Sequence, residues 1–199
     1  MLSNLKGYKI YLASKSPRRR QLLSELRIPF SVINKGGADE SYPNDMPVED
    51  VPQYLSLKKA EQYLASLTDK DLLITADTLV ICEGKILGKP RNHEDAVNML
   101  GLLSGKSHHV ISGVTICSNN RKVSFSCDTE VKFAEITEDE ARYYVENYSP
   151  MDKAGAYGIQ EWIGCVAVEW INGSFYNVMG LPVHQLYMEL KQFQAPSSI

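Results

Sequence analysis

Ile10-Tyr11-Leu12-Ala13-Ser14-Lys15-Ser16-Pro17-Arg18-Arg19-Arg20 leads directly into Leu22-Leu23-Ser24-Glu25-Leu26. An apolar β-like segment ending in Ser, with Pro at what becomes the first helical position, predicts a strand that turns sharply into a helix. Such a turn gathers an anion site. Backbone N–H groups at a helix N-terminus favour a phosphate, and successive guanidinium groups add bidentate donors that match phosphate geometry. Cations in a first helical turn also oppose the helix macrodipole, a local conflict that a bound anion would relieve. A solvated basic face is the alternative that this segment alone leaves open.

The 199-residue chain, 44% hydrophobic, can bury a full core and is expected to form one domain over 1–199. Its formal charge of −3 argues against a nucleic-acid polymer held by bulk electrostatics, so the Arg cluster acts locally on a small anion such as a nucleotide. Cys82, Cys117, Cys127 and Cys165 are scattered, lack C-x-x-C spacing and sit mostly in apolar β-like surroundings, where a thiol behaves as a small hydrophobe. With no long apolar leader and no long uncharged run, the expectation is a protein of the reducing cytosol without a membrane span.

Further along, 30–33 reads as a second strand and 35–47 as a loop rich in turn formers, of a length that is often functional. Val51, Leu55, Tyr63, Leu64 and Leu67 recur near helical spacing and predict an amphipathic helix over about 50–67. A long apolar strand spans 72–81, interrupted by Asp77, and Glu83-Gly84-Lys85 turns the chain after it. A helix over 93–103 precedes strands over 110–117 and 123–133, joined at Asn119-Asn120. Thr137-Glu138-Asp139-Glu140 opens another helix with an N-cap and an acidic first turn. Beyond Pro150 come a Gly-rich stretch, a strand over 165–171, a turn at Asn172-Gly173 and a helix over about 182–192. Interleaved strands and helices with adjacent strand pairs in the second half predict an α/β fold with a mixed sheet.

A lone carboxylate inside an apolar strand costs several kcal/mol, on the order of 2–7, unless it is compensated, so Asp77 is the foremost catalytic candidate. An Asp ending one strand and capping a bend is the structural alternative. Lys89, in the rigid turn Leu87-Gly88-Lys89-Pro90, could neutralise phosphate charge or be an ordinary turn lysine. Lys58 and Lys59 follow Leu55 by three and four residues, near the edge of the buried helix face, where snorkelling is the usual outcome. Gly36-Gly37-Ala38-Asp39-Glu40 offers carboxylates for a hard cation, or merely solvated ones. In Asp152-Lys153-Ala154-Gly155-Ala156-Tyr157-Gly158-Ile159-Gln160, small residues suit close approach to a ligand, and the Gln160 carboxamide could complement a uracil or thymine edge or simply face solvent. Gly101-Leu102-Leu103-Ser104-Gly105-Lys106-Ser107 imitates a P-loop, but its first Gly is one residue too close and a helix, not a strand, precedes it. His108 and His109 should point to opposite faces of one strand and form no metal pair.

Together, Leu12-Ala13-Ser14-Lys15-Ser16-Pro17-Arg18-Arg19, Ala76-Asp77-Thr78, Leu87-Gly88-Lys89-Pro90, Ser104-Gly105-Lys106-Ser107-His108 and the 152–160 segment closely resemble the Maf family of nucleoside triphosphate pyrophosphatases. Gly180-Leu181-Pro182 extends the resemblance over nearly the whole chain, and Lys15, where the family usually has a small residue, departs from it. The resemblance implies an elongated α/β fold, related to inosine triphosphate pyrophosphatases. It also implies a cytosolic, often homodimeric enzyme that uses Mg²⁺ or Mn²⁺ to cleave a nucleoside triphosphate into monophosphate and pyrophosphate. By position, Asp77 matches the proton acceptor; Arg18, Thr78 and Gln160 match positions that tune base choice; Glu40, Lys59 and Lys89 match polar active-site positions. The expected site therefore comprises Ser14, Arg18, Arg19, Lys59, Thr78, Lys89 and Gln160 toward substrate, with Glu40 and Asp77 toward metal. The Arg, Thr and Gln combination favours dTTP and UTP over the sister branch acting on 7-methyl-GTP. A non-catalytic nucleotide-binding regulator of septum formation is the rival from another class, against which the carboxylate at 77 argues.

Overall fold

The computed structural model describes residues 2–36 and 39–194; Gly37 and Ala38 of the Gly-rich acidic loop lie outside the described residues. The elements run β1 (Lys9–Ala13), α1 (Pro17–Glu25), β2 (Ser31–Ile33), α2 (Val51–Leu64), β3 (Asp71–Cys82), β4 (Lys85–Leu87), α3 (His93–Leu103), β5 (Ser107–Cys117), β6 (Lys122–Phe133), α4 (Glu138–Tyr148), α5 (Trp162–Ala167), β7 (Val168–Asn172), α6 (Phe175–Val178) and α7 (Val183–Leu190). Helices flank a mixed sheet of order β2-β1-β3-β5-β6-β7, with β4 paired to β3. β1 is parallel to both β2 and β3, whereas the β3–β4 and β6–β7 pairs are antiparallel, so the sheet is mixed, as predicted.

Two compact units divide the chain. One holds the residues up to Asp77, Ser112–Cys127 and those from Gly180 onward; the other holds Thr78–Ile111 and Asp128–Met179. β3, β5 and β6 each run from one unit into the other. In the first unit, α2 lies against the sheet with Ala60 and Tyr63 packed on Leu73 and Cys117. Ser56 adds a buried polar contact, its hydroxyl 2.8 Å from Thr115 Oγ1. Gly113 on β5 allows this approach: a Cβ there would stand 2.2 Å from the backbone of Pro52 and Gln53. In the second unit, His108, Phe133 and Tyr157 form an edge-to-face trio with ring centroids 4.9–5.4 Å apart.

Local chemistry explains most boundaries. Ser16 caps α1 and Pro17 occupies its first turn; Thr137 and Glu140 form a reciprocal capping box on α4. The 165–171 strand needs correction, since Cys165 to Ala167 close the short helix α5 and β7 begins only at Val168. An apolar run of this length has no periodicity that separates helix from strand; the contact that fixes its end is Ala134 N–H donating to Ala167 O at 2.7 Å. α7 ends at Leu190 rather than 192, and β4 and α6 were too short to leave a pattern. The P-loop imitation is confirmed as one, with α3 before it and β5 after it. His108 is buried while His109 is exposed and pairs with Asp128 at 2.9 Å. None of the four cysteines forms a disulfide; Cys82 and Cys117 are buried, but Cys165 is exposed on α5 rather than set in an apolar strand.

Candidate active site

Asp77 stands in the middle of β3 with its side chain 12% exposed, and the charge that compensates it comes from α2. Strand side chains alternate, so Leu73, Thr75 and Asp77 share the face on which α2 lies. Thr75 Oγ1 donates to Ser56 O at 2.7 Å, and one helical turn later Lys59 Nζ donates to Asp77 Oδ1. The same ammonium reaches Glu40 Oε1 at 3.2 Å, so one cation joins a sunken carboxylate to a largely exposed one. Lys58, read from sequence as a snorkelling side chain, fastens the same loop through Asp39 Oδ2 at 2.7 Å, Ser41 O at 2.8 Å and Ser41 Oγ at 2.9 Å. Its hydrogen bond, with the Ser41 amide, holds the Asp39 carboxyl well below the usual carboxylate range. Neighbouring lysines on α2 therefore pin the consecutive carboxylates Asp39 and Glu40, which lie outside any helix or strand.

The turn after β1 behaves differently from the simplest expectation. Ser14 Oγ, buried, accepts from Ser16 N at 3.1 Å, and Ser16 Oγ accepts from Arg19 N at 3.4 Å, while Pro17 has no N–H to offer. The amides at this helix start are largely satisfied internally, so attraction for an anion rests on the guanidinium groups. Arg19 is itself anchored, Nε donating to Gly180 O and Nη1 to Ala76 O, each at 2.8 Å. Burial pulls its pKa below the ordinary arginine value against the opposing pull of Asp77 and Glu40, with Arg18 as a repelling neighbour. Arg19 is thus a fixed positive charge beside Asp77, tied to the strand that carries it. The first unit brings together Arg19, Glu40, Lys59 and Asp77, with Arg18 as the like-charged neighbour of Arg19 and Ser14 shaping the turn.

Thr78, Lys89 and Gln160 belong to the second unit. Thr78 is half-buried on the face of β3 opposite to Asp77, Lys89 is exposed just beyond β4, and Gln160 is exposed in the turn before α5. Gly155 N–H donates to Gly88 O at 3.1 Å, which joins the Lys89 turn to the 152–160 segment. That segment holds groups which the sequence did not single out. Lys153 is buried and pairs with Asp152 at 3.0 Å and Glu161 at 3.2 Å; Tyr144 OH donates to Glu161 Oε2 and accepts from Gly158 N at 3.0 Å. Gly155 and Ala156 both take positive φ, at 66° and 58°, an unusual conformation for alanine that marks a tightly held bend. A charged residue in a Gly-rich stretch was the only available hint, since spacing does not reveal which carboxylate would meet Lys153.

Among the described residues no group of three or more His, Cys, Asp or Glu is placed to hold a metal ion. Asp77 and Glu40 are nonetheless hard-oxygen donors converging on a single ammonium nitrogen. One or two carboxylates with water and phosphate completing the shell is how Mg²⁺ is usually held, so these residues fit such a cation.

Known proteins resemble this chain over nearly its whole length. The dTTP/UTP pyrophosphatase of Parabacteroides distasonis is 53% identical over 193 residues, 97% of this chain and 100% of its own. That of Bacteroides thetaiotaomicron is 51% identical over 192 residues, 96% of this chain and 100% of its own. Among solved structures, the Ham1 protein of Staphylococcus aureus is similar over 64% of this chain and 72% of its own, with a TM-score of 0.44 and 12% identity. The family model described as Maf-like protein matches residues 9–193, and the chain belongs to that family.

Proposed function

We propose that this protein is a nucleoside triphosphate pyrophosphatase that hydrolyses dTTP and UTP to the monophosphate and pyrophosphate. The observation that carries the reading is the sunken Asp77 carboxylate paired with Lys59, with Glu40 on the same ammonium and Arg19 held beside it. Full-length relatives at 51–53% identity named dTTP/UTP pyrophosphatase support the substrate class.

In this reading Arg18, Arg19, Lys59 and Lys89 neutralise the triphosphate. Asp77 orients a water and takes its proton as oxygen attacks the α-phosphorus. The bond from that phosphorus to the bridging oxygen breaks, and pyrophosphate leaves. Arg18, Thr78 and Gln160 select the base, and Glu40 with Asp77 would hold a Mg²⁺ or Mn²⁺ ion. When bound, such an ion supplies charge neutralisation on the phosphate oxygens. Positioning and fixed charge supply most of the acceleration, because phosphoryl transfer asks little covalent chemistry of the protein. The self-tethered Arg19 fits that role, since it needs no rearrangement to present its charge. Cytosolic residence, supported by four cysteines that form no disulfide, and assembly as a homodimer belong to the same reading.

The test is incubation of the purified protein with dTTP, UTP, CTP and 7-methyl-GTP, with Mg²⁺ or Mn²⁺ and with chelator. Pyrophosphate release from dTTP and UTP, abolished by chelator, is expected. Release of orthophosphate, or no product from any nucleotide, overturns the reading.

A further inference from the structure

The turn that carries Gln160 is clamped from two sides within the second unit. Its backbone closes on itself, Glu161 N–H donating to Gly158 O at 3.0 Å, and α5 grows directly from it through Gly164 N–H to Glu161 O at 3.0 Å. Its side-chain clamp is Glu161, whose Oε1 lies 3.2 Å from the buried Lys153 ammonium and whose Oε2 accepts from Tyr144 OH. The same Tyr144 oxygen accepts the Gly158 N–H at 3.0 Å, so a single hydroxyl links the first and last residues of the turn. Space has been cleared for this arrangement. A Cβ on Gly158 would stand 2.9 Å from the Glu161 carboxyl carbon and 3.0 Å from Lys153 Cε, and one on Gly164 would stand 1.8 Å from Ile159 O.

A buried lysine with two carboxylate partners and a fully buried tyrosine hydroxyl is a costly polar network, and such networks specify one geometry when fully satisfied. The only residue inside the clamped 158–161 turn with an exposed polar side chain is Gln160. From this we infer that Glu161, Tyr144 and Lys153 are positioning residues for Gln160: they hold the backbone beneath its carboxamide so that it discriminates the pyrimidine edge. The inference rests on the proposed dTTP/UTP activity. It assigns the network to base recognition rather than to the chemistry at Asp77.

Tyr144→Phe removes only the hydroxyl and keeps the ring, which stacks on Tyr148 at 5.1 Å. Steady-state kinetics of pyrophosphate release from UTP and CTP on wild type, Tyr144→Phe, Gln160→Ala and the double variant make the test. Tyr144→Phe is expected to raise KM for UTP roughly threefold to tenfold, the worth of one hydrogen bond, with kcat within about twofold. The UTP over CTP preference should fall by the same factor, and Tyr144→Phe should add nothing in the Gln160→Ala background. Hydrogen exchange at Gly158 should quicken in Tyr144→Phe. Glu161→Gln, which keeps an acceptor for the hydroxyl but loses the ion pair, should show the same direction and serves if Tyr144→Phe does not fold. Loss of kcat with KM and base preference unchanged, or independent multiplying effects of the two substitutions, overturns the inference while leaving the activity in place. A wild type that releases no pyrophosphate overturns the activity and this inference with it.

Discussion

Asp77 is the side chain on which the proposed chemistry turns. It was legible from sequence because a carboxylate interrupts an otherwise apolar strand, but its partner was not, since Lys59 lies eighteen residues earlier on a helix where a lysine usually snorkels. Asp77→Asn should keep the side-chain shape and lose the charge that accepts a proton; pyrophosphate release is expected to fall roughly 10²–10⁴-fold while nucleotide binding, measured by titration, is spared. A fully active Asp77→Asn enzyme would refute the assignment. His108 makes a second prediction at this scale. It is buried, donates or accepts at Nε2 with Tyr157 OH at 2.8 Å, and has no hydrogen-bond partner for Nδ1 among the described residues. Desolvation pulls its pKa from 6.5 down to about 3, with the neighbouring His109 adding to the effect. A depressed histidine stays neutral in the fold while the unfolded chain takes up a proton, so its stabilising share is complete above pH 6.5 and is lost as pH falls toward 3. The loss amounts to about 1.4 kcal/mol per pH unit within that window. Denaturant unfolding of wild type and His108→Gln at pH 7.5 and about pH 5.5 should therefore show the stability gap between them narrowing by about that amount.

At the scale of elements, the Lys59–Asp77 pair depends on how closely α2 approaches the sheet. One turn before Lys59, Ser56 is seated on Thr75 and Thr115, and the bare backbone of Gly113 leaves room for α2 to lie that close. Gly113→Ala would place a methyl carbon 2.2 Å from the backbone of Pro52 and Gln53, which cannot give way as a flexible side chain could. The expected cost is about 1–3 kcal/mol in denaturant unfolding, with kcat lowered in the refolded variant because α2 carries Lys59 away from Asp77. An unchanged kcat would separate α2 from the chemistry. Helix starts were the most readable elements, as Ser16-Pro17 and the Thr137/Glu140 box satisfy end groups with local side chains. α5 was misread because its end is set by the 134–167 backbone contact rather than by any cap.

For the whole molecule, a nucleotide that binds the folded chain alone must stabilise it. UTP at about a hundred times its dissociation constant should contribute about 2.7 kcal/mol. Thermal unfolding of the Asp77→Asn variant, which should not consume the ligand, should accordingly show a higher Tm with UTP and Mg²⁺ than with Mg²⁺ alone. No shift would remove pyrimidine nucleotides as ligands. The described helices include none long and apolar enough to cross a membrane. Sequence by itself determined the alternation of strands and helices, the start of α1 at Ser16-Pro17, the odd carboxylate at 77 and the motif set that marks the family, because each is written in neighbouring residues or in a short period. Only the tertiary structure decided that Lys59 answers Asp77, that Arg19 is held by the carbonyls of Ala76 and Gly180, and that Tyr144 and Lys153 clamp Glu161. The reason is physical: a charge buried by folding takes whichever opposite charge or dipole the packing brings to it, and residues distant along the chain become its neighbours only once the sheet and its helices have formed.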